Sequence, residues 1–190
     1  MKVCGRTLAL RPFSMADADD VLRLRNQDHV RAGMLHDTLV QPSDHLIWME
    51  KTIAADDKSY FVVTLDDEPV GVIGFYAQNP RTRTAEWSFY FTGARPAGVK
   101  GLATRALLLA QRHFFEVMGR RRIYSQVLVT NEGSLRVHRT LGFSREAVLR
   151  GHAMVGDVPT DVIGLGLLDS EWPQVRDALW AQMFDPPGLP

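Results

Sequence analysis

The chain has 190 residues, 45% of them hydrophobic, and its 22 basic and 22 acidic side chains cancel. That length suits a single domain over residues 1–190 with a substantial core, and the charge balance argues against a dedicated nucleic-acid or membrane-surface binder. The single cysteine, Cys4, rules out a disulfide framework and any multi-cysteine metal site.

Thr7–Arg11 reads as a first strand, stopped by Pro12. Ser14, with Asp17 three residues on, resembles the N-cap of a helical run to Arg25. A second helical piece covers about 28–34, and Ser43, after Pro42, is expected to cap a helix through Ala54. Tyr60–Leu65 and Val70–Tyr76 are strands joined through Asp66-Asp67-Glu68-Pro69, a hairpin signal. Ala85–Phe91 is an aromatic-rich third strand of this group. In Leu102–Met118 the apolar positions Ala103, Ala106, Leu107, Ala110, Phe114 and Val117 fall on one helical face. Ile123–Val129 alternates as a strand, and Glu132–Leu141 is a short helix closed by Gly142. Strands at Phe143–Met154 and Asp161–Leu167 flank a turn over Val155–Pro159, and a last helix spans Trp172–Met183. The order predicts an α+β fold: one central, mixed, mostly antiparallel twisted sheet of about seven strands flanked by helices.

No run of about 18 apolar residues is present, so no membrane span is expected. Arg6 and Arg11 interrupt the N-terminal stretch where a signal peptide would carry its apolar core, which predicts a cytoplasmic protein. The run Arg120-Arg121-Arg122 ends a helix and reads as a solvated terminus. No pair among the six histidines has metal-ligand spacing with supporting Cys, Asp or Glu, so no metal is expected.

The stretch from Thr84 to Phe143 carries the chemistry. A glycine-bearing turn that opens a helix aims backbone N–H groups and the positive end of the helix dipole at one point, which makes an anion site. Downstream come Asn131 at a strand end and His138 on the next helix. Together they point to a phosphate-bearing cofactor with a protic side chain nearby.

These residues resemble the GNAT superfamily of acetyl-CoA-dependent N-acetyltransferases. Its Gln/Arg-x-x-Gly-x-Gly/Ala motif aligns with Gly98-Val99-Lys100-Gly101-Leu102-Ala103, with Gly98 in place of Gln or Arg and Arg95 three residues earlier. Asn131, Ser134, His138 and Leu141-Gly142-Phe143 resemble the family's Asn…Tyr…Leu-Gly-Phe ending, with His138 where many members carry Tyr. Arg150-Gly151-His152, Gly156-Asp157, Asp161 and Glu171-Trp172 resemble the branch that contains the ribosomal-protein N-terminal acetyltransferases. Leu24-Arg25-Asn26, His29-Val30-Arg31, Met34 and His45-Leu46-x-Trp48 are similar to the subgroup of pseudaminic acid biosynthesis. That subgroup acetylates the 4-amino group of a UDP-linked 4-amino-4,6-dideoxy sugar.

The resemblance implies acetyl-CoA as cosubstrate, bound by the Gly98–Ala103 window and by Thr104. Phe89, Tyr90 and Phe91 would pair their backbone with the pantetheine arm, and a strand N–H would meet the thioester oxygen. Asn131 and Ser134 fall in the same cofactor region; Asn131 is also suited to capping the helix that carries His138. Glu86 is the first candidate for the base that deprotonates the amine, with Ser88 holding or relaying a water, although a strand-edge charge is the plain alternative. His138 would protonate the departing thiolate, against the alternative of a hydrogen-bonded core histidine. Arg25, Asn26, Arg31, Met34, Trp48 and Tyr90 would receive a nucleotide-sugar amine, Arg for diphosphate and Trp for a flat face. A protein Nα-acetyltransferase and a non-catalytic acetyl-CoA sensor are the competing readings. A homodimer through the sheet or the last helix is compatible with the chain, but no residue specifies it.

Overall fold

The computed structural model describes residues 1–94 and 99–184. Its eight strands form one sheet in the order β1-β2-β3-β4-β5-β6-β8-β7. β1 (Lys2–Val3), β2 (Arg6–Pro12), β3 (Ser59–Leu65), β4 (Glu68–Asn79) and β5 (Thr84–Phe91) make an antiparallel meander. β6 (Arg122–Leu128) joins β5 in parallel, β8 (Val158–Leu168) runs antiparallel to β6, and β7 (Ser144–Val155) closes the edge on β8. Six α-helices flank the sheet: α1 (Ala18–Arg25), α2 (Asp28–Arg31), α3 (Pro42–Ile53), α4 (Leu102–Arg112), α5 (Glu132–Thr140) and α6 (Trp172–Met183). No helix among the described residues is long and apolar enough to cross a membrane.

The α+β arrangement matches the expectation, with differences of physical origin. The eighth strand is the two-residue β1, which folds back on β2 through Cys4 and Gly5, both at positive φ; so short a strand leaves no alternation to read. Asp66 and Asp67 alone make the β3–β4 turn, at φ 50 and 68, so β4 starts at Glu68. α3 begins at Pro42 with Gln41 as its N-cap, so Ser43 is not the cap; proline's fixed φ suits the first helical turn. The helical turn from Asp28 ends at Arg31 and does not reach Met34. The long helix after Gly101 is α-helical only to Arg112 and continues as a π turn over His113–Val117.

Strand alternation divides the sheet into two faces. Phe75, Trp87 and Ile73 point to the side packed by α4, where Ala106, Leu107 and Phe114 are fully buried. Ile73, Phe75, Leu107 and Phe114 each contribute about 1.5–3 kcal/mol relative to exposure. Val62 and Val72 point to the other side, where Val21, Leu24 and Met49 from α1 and α3 form a smaller core with Trp48, Tyr60 and Tyr90 at its margin. The residues between α1 and α3 are thereby held over this second face.

Candidate active site

β5 and β6 are hydrogen-bonded for only three residue pairs, Thr84↔Arg122, Ala85↔Ile123 and Glu86↔Tyr124. Beyond Glu86 the strands part: Trp87–Phe91 pair only with β4, and Ser125–Leu128 only with β8. A cleft of about 550 Å³ opens at the split, lined from β5 by residues 86–91, from β6 by 125–127, and from α5 by Ser134 and His138. Its size is that of a small-ligand site. The strand edge of β5 turned toward β6 has no ladder partner there, so its backbone groups are available to a bound molecule.

Glu86 stands where the strands separate. Its cross-strand partners are Tyr76 on β4 and Tyr124 on β6, so all three side chains share one face. Burial pushes the Glu86 carboxyl above the usual carboxylate range, and a hydrogen bond from the Tyr76 hydroxyl partly offsets this. A raised carboxylate is a stronger base, which suits proton abstraction. Two residues along, Ser88 meets the Tyr60 hydroxyl, whose own pKa is pushed up to about 12 by burial. The Tyr60 ring lies over Gly74, where a Cβ would fall 2.3 Å from it; a larger residue there would displace the ring.

On the opposite face, His138 is 1% exposed. Trp87 Nε1–H donates to its Nε2 over 3.1 Å, and its Nδ1–H donates to the Ser134 carbonyl over 2.9 Å. Both ring nitrogens are therefore engaged by the neutral tautomer. Trp87, Phe89 and Phe143 surround the ring at 5.7, 5.4 and 4.8 Å between centroids. Desolvation lowers its pKa to about 4, so it holds no spare proton near neutrality. This arrangement does not suit the acid role expected of His138; it suits a clamp between β5 and α5. The Leu-Gly-Phe motif explains how the ring is seated. Gly142, at φ 84, closes α5 with Gly142 N–H to the Arg139 carbonyl and Phe143 N–H to the His138 carbonyl, which turns Phe143 onto His138.

Asn131 uses both ends of its amide. Its Oδ1 accepts from Ser134 N–H at 3.0 Å, capping α5, and its Nδ2–H donates to the Gly33 carbonyl at 3.1 Å. The side chain expected to meet pantetheine is thus committed to the protein itself. A side chain at position 33 would collide with this amide, since a Cβ there lies 2.6 Å from Nδ2. His29 Nε2–H donates to the Phe91 carbonyl at 3.0 Å and Gly93 N–H to Gln27 Oε1 at 2.9 Å. The 27–33 segment is therefore tied to the end of β5 and to the start of α5, forming a roof over the cleft.

At the other end, Gly101 is the left-handed N-cap of α4, at φ 67, and no side chain caps that helix. A Cβ at Gly101 would meet nothing within 4 Å among the described residues. Val99 and Leu102 are buried and anchor this turn, while Lys100 is exposed. The geometry fits a diphosphate. Gly98 and Arg95 lie outside the described residues.

Of the residues expected at the acceptor end, Arg25, Met34 and Tyr90 line the cleft. Asn26, Arg31 and Trp48 do not. The Asn26 amide is clasped to the Val40 backbone by two hydrogen bonds of 2.9 Å. Arg31 pairs with Asp28 at 2.8 Å. Trp48 packs among Phe13, His45 and Tyr60 at 5.9, 5.6 and 5.3 Å. Tyr60, Tyr76 and Tyr124 carry no role in the sequence reading, and His29 enters it only as part of His29-Val30-Arg31. Alternation alone puts Glu86, Ser88 and Tyr90 on one face of β5, but matching Tyr76 to Glu86 requires the β4–β5 register. Among the described residues no cluster of three or more His, Cys, Asp or Glu could hold a metal ion.

Residues 7–144 match the family model of the GNAT acetyltransferase domain. The chain is 31% identical over 148 residues to a spermidine N(1)-acetyltransferase of Escherichia coli (strain K12), covering 76% of this chain and 77% of that one. It is 26% identical over 174 residues, 88% of this chain and 93% of the other, to the prophage-derived uncharacterized N-acetyltransferase YokL of Bacillus subtilis (strain 168). The crystal structure of spermidine N-acetyltransferase from Vibrio cholerae, in complex with CoA and spermine, superposes with a TM-score of 0.81 at 20% identity, over 87% of this chain and 98% of that chain. A split parallel strand pair, a glycine-opened helix and a sequence match over most of the chain agree: this protein belongs to the GNAT acetyltransferases.

Proposed function

We propose that this protein transfers acetyl from acetyl-CoA to the primary amine of a small molecule, by direct attack in a ternary complex. The observation that carries the reading is Glu86: a half-buried carboxylate of raised basicity at the point where β5 and β6 separate. Acetyl-CoA, when bound, supplies an acyl thioester. The uncapped start of α4 at Gly101 would hold the diphosphate, and the free edge of β5 would hold the pantetheine arm. A β5 N–H aimed at the acyl oxygen would stabilise the charge that develops there, an effect worth ~3 kcal/mol for one such donor. Glu86, directly or through a water held by Ser88, would take the proton from the acceptor ammonium. His138, neutral and clamped, would keep Trp87 and α5 in place while the thiolate leaves and takes its proton from solvent.

The acceptor read from the N-terminal signature is a UDP-linked 4-amino-4,6-dideoxy sugar. Arg25, Met34 and Tyr90 in the cleft wall support it. A polyamine is the second reading, supported by the spermidine acetyltransferases to which the chain is similar. Thiol release from acetyl-CoA is the test, with UDP-linked 4-amino sugars, spermidine and N-terminal peptides as acceptors. Turnover confined to one class identifies the acceptor. Turnover on peptides alone would replace both readings, and silence with intact acetyl-CoA binding would favour a sensor.

A further inference from the structure

The chain has four tyrosines, Tyr60, Tyr76, Tyr90 and Tyr124. Strand register puts all four on the face of the sheet that carries Glu86. Tyr76 and Tyr124 are its direct partners, Tyr60 lies two strands from Ser88 in the next row, and Tyr90 follows Ser88 by alternation. The Tyr76 hydroxyl meets Glu86 and the Tyr60 hydroxyl meets Ser88. Of these, Tyr60, Tyr76 and Tyr90 line the cleft with Glu86; one carboxylate amid aromatic side chains suits a single ammonium group.

The rest of the cleft is not built for a second cation. Glu86 is the only carboxylate among its described lining residues, and Arg25 stands in the same wall beside Tyr90. Arg25 Nη2 donates to the His36 carbonyl at 2.8 Å, while its Nη1 is buried without a partner. Burial lowers the Arg25 pKa, and Arg31, another cation, lowers it further. A distal ammonium group would therefore lose water, find no carboxylate and face a guanidinium, which is costly in a partly desolvated site. An anionic group would instead be attracted by the Arg25 guanidinium in the cleft wall.

Resting on the reading that the acceptor amine enters over Glu86, we infer that the acceptor is a monoamine whose remainder is neutral or anionic, and that Arg25 sets this charge class. The inference sets this chain apart from the similar spermidine enzymes and decides against the polyamine reading above.

The test is a four-carbon series differing only at the far end: butylamine, 4-aminobutyrate and 1,4-diaminobutane, with spermidine alongside. Thiol release from acetyl-CoA gives kcat/KM for each. The expected order is 4-aminobutyrate, then butylamine, then the two polyamines, with the anion and the cation separated by at least about tenfold, or about 1.4 kcal/mol. Arg25→Gln should shrink this ratio and Arg25→Glu should invert it. Each variant is read as a ratio among amines, so a general loss of activity cancels. Preference of the unmodified protein for 1,4-diaminobutane or spermidine over butylamine would overturn the inference, as would ratios unmoved by Arg25→Glu. If neither these amines nor UDP-linked 4-amino sugars nor N-terminal peptides release thiol, the transferase reading itself fails. Calorimetric affinities of the same series for the coenzyme A complex then still decide the charge class.

Discussion

The Trp87 indole N–H donates to Nε2 of His138 across 3.1 Å, joining β5 to α5 beneath the cleft. Indole can only donate, so this contact requires the ring nitrogen to be bare. The other nitrogen must then carry the proton, which it gives to the Ser134 carbonyl. A protonated ring would put a hydrogen on Nε2 facing the indole hydrogen. The tautomer is thus set by the protein, and the position taken by Tyr in many relatives serves here as a strut.

Glutamine carries one acceptor and one donor at similar reach but cannot titrate, so His138→Gln separates strut from acid. We expect His138→Gln to retain most of kcat and His138→Leu to lose it together with stability. Equal losses in the two variants across neutral pH would restore the acid role. His138 also gives a stability signature. Its folded pKa of about 4 lies below the ordinary 6.5, so between these values the unfolded chain binds more protons and stability falls as pH falls. Between pH 7 and pH 5 the loss from this group is about 2 kcal/mol. Urea denaturation of the parent and of His138→Gln at both pH values should show the smaller decline in the variant.

Glu86→Gln should lower kcat by about 10²–10⁴ and leave acetyl-CoA affinity little changed. Because burial raises the Glu86 pKa, the parent's rate should climb with pH as this carboxyl ionises, above the usual carboxylate range. The variant should lack that limb. A pH–rate profile of Glu86→Gln that keeps the limb would move the base elsewhere.

Asn131 permits its two duties to be divided. Asn131→Asp keeps an acceptor for Ser134 N–H and loses the donor to Gly33. We expect it to keep thermal stability while raising acceptor KM, because the roof over the cleft is released. Asn131→Ala loses the cap as well, at a cost of about 1 kcal/mol. Thermal unfolding and steady-state kinetics on the two variants distinguish the effects; an unchanged KM in Asn131→Asp would remove the roof from acceptor binding.

Gly74→Ala places a methyl 2.3 Å from the Tyr60 ring. The ring must leave its place beside Ser88, at a cost of about 1–3 kcal/mol. Acceptor KM should rise while acetyl-CoA affinity holds. Calorimetry of acetyl-CoA against the variant, beside its kinetics, checks that the damage is confined to the tyrosine side.

Much of the fold was legible because its signals are local. The apolar period after Gly101, the alternation in β3 to β6, and the Gly142 cap each depend on a few neighbouring residues. They emerged at nearly the right bounds. The failures were at β1, two residues long, at the end of α2, at the start of α3, where proline sets the first turn, and at the β7–β8 turn, which is Gly156-Asp157 alone and not residues 155–159.

By itself the sequence determined the α+β order, the glycine-opened helix and the residues Glu86 and His138 as the polar groups of interest. Tertiary structure alone decided what they do. Glu86 gains its basicity from burial, partly offset by the hydrogen bond from Tyr76 of β4, whose register is set by long-range pairing. His138 loses its proton because burial desolvates the ring, and Trp87, 51 positions away in the chain, fixes its tautomer by donating to Nε2. Residue type limits the chemistry open to a side chain, whereas the choice among protonation states depends on desolvation and neighbouring dipoles, which only packing supplies.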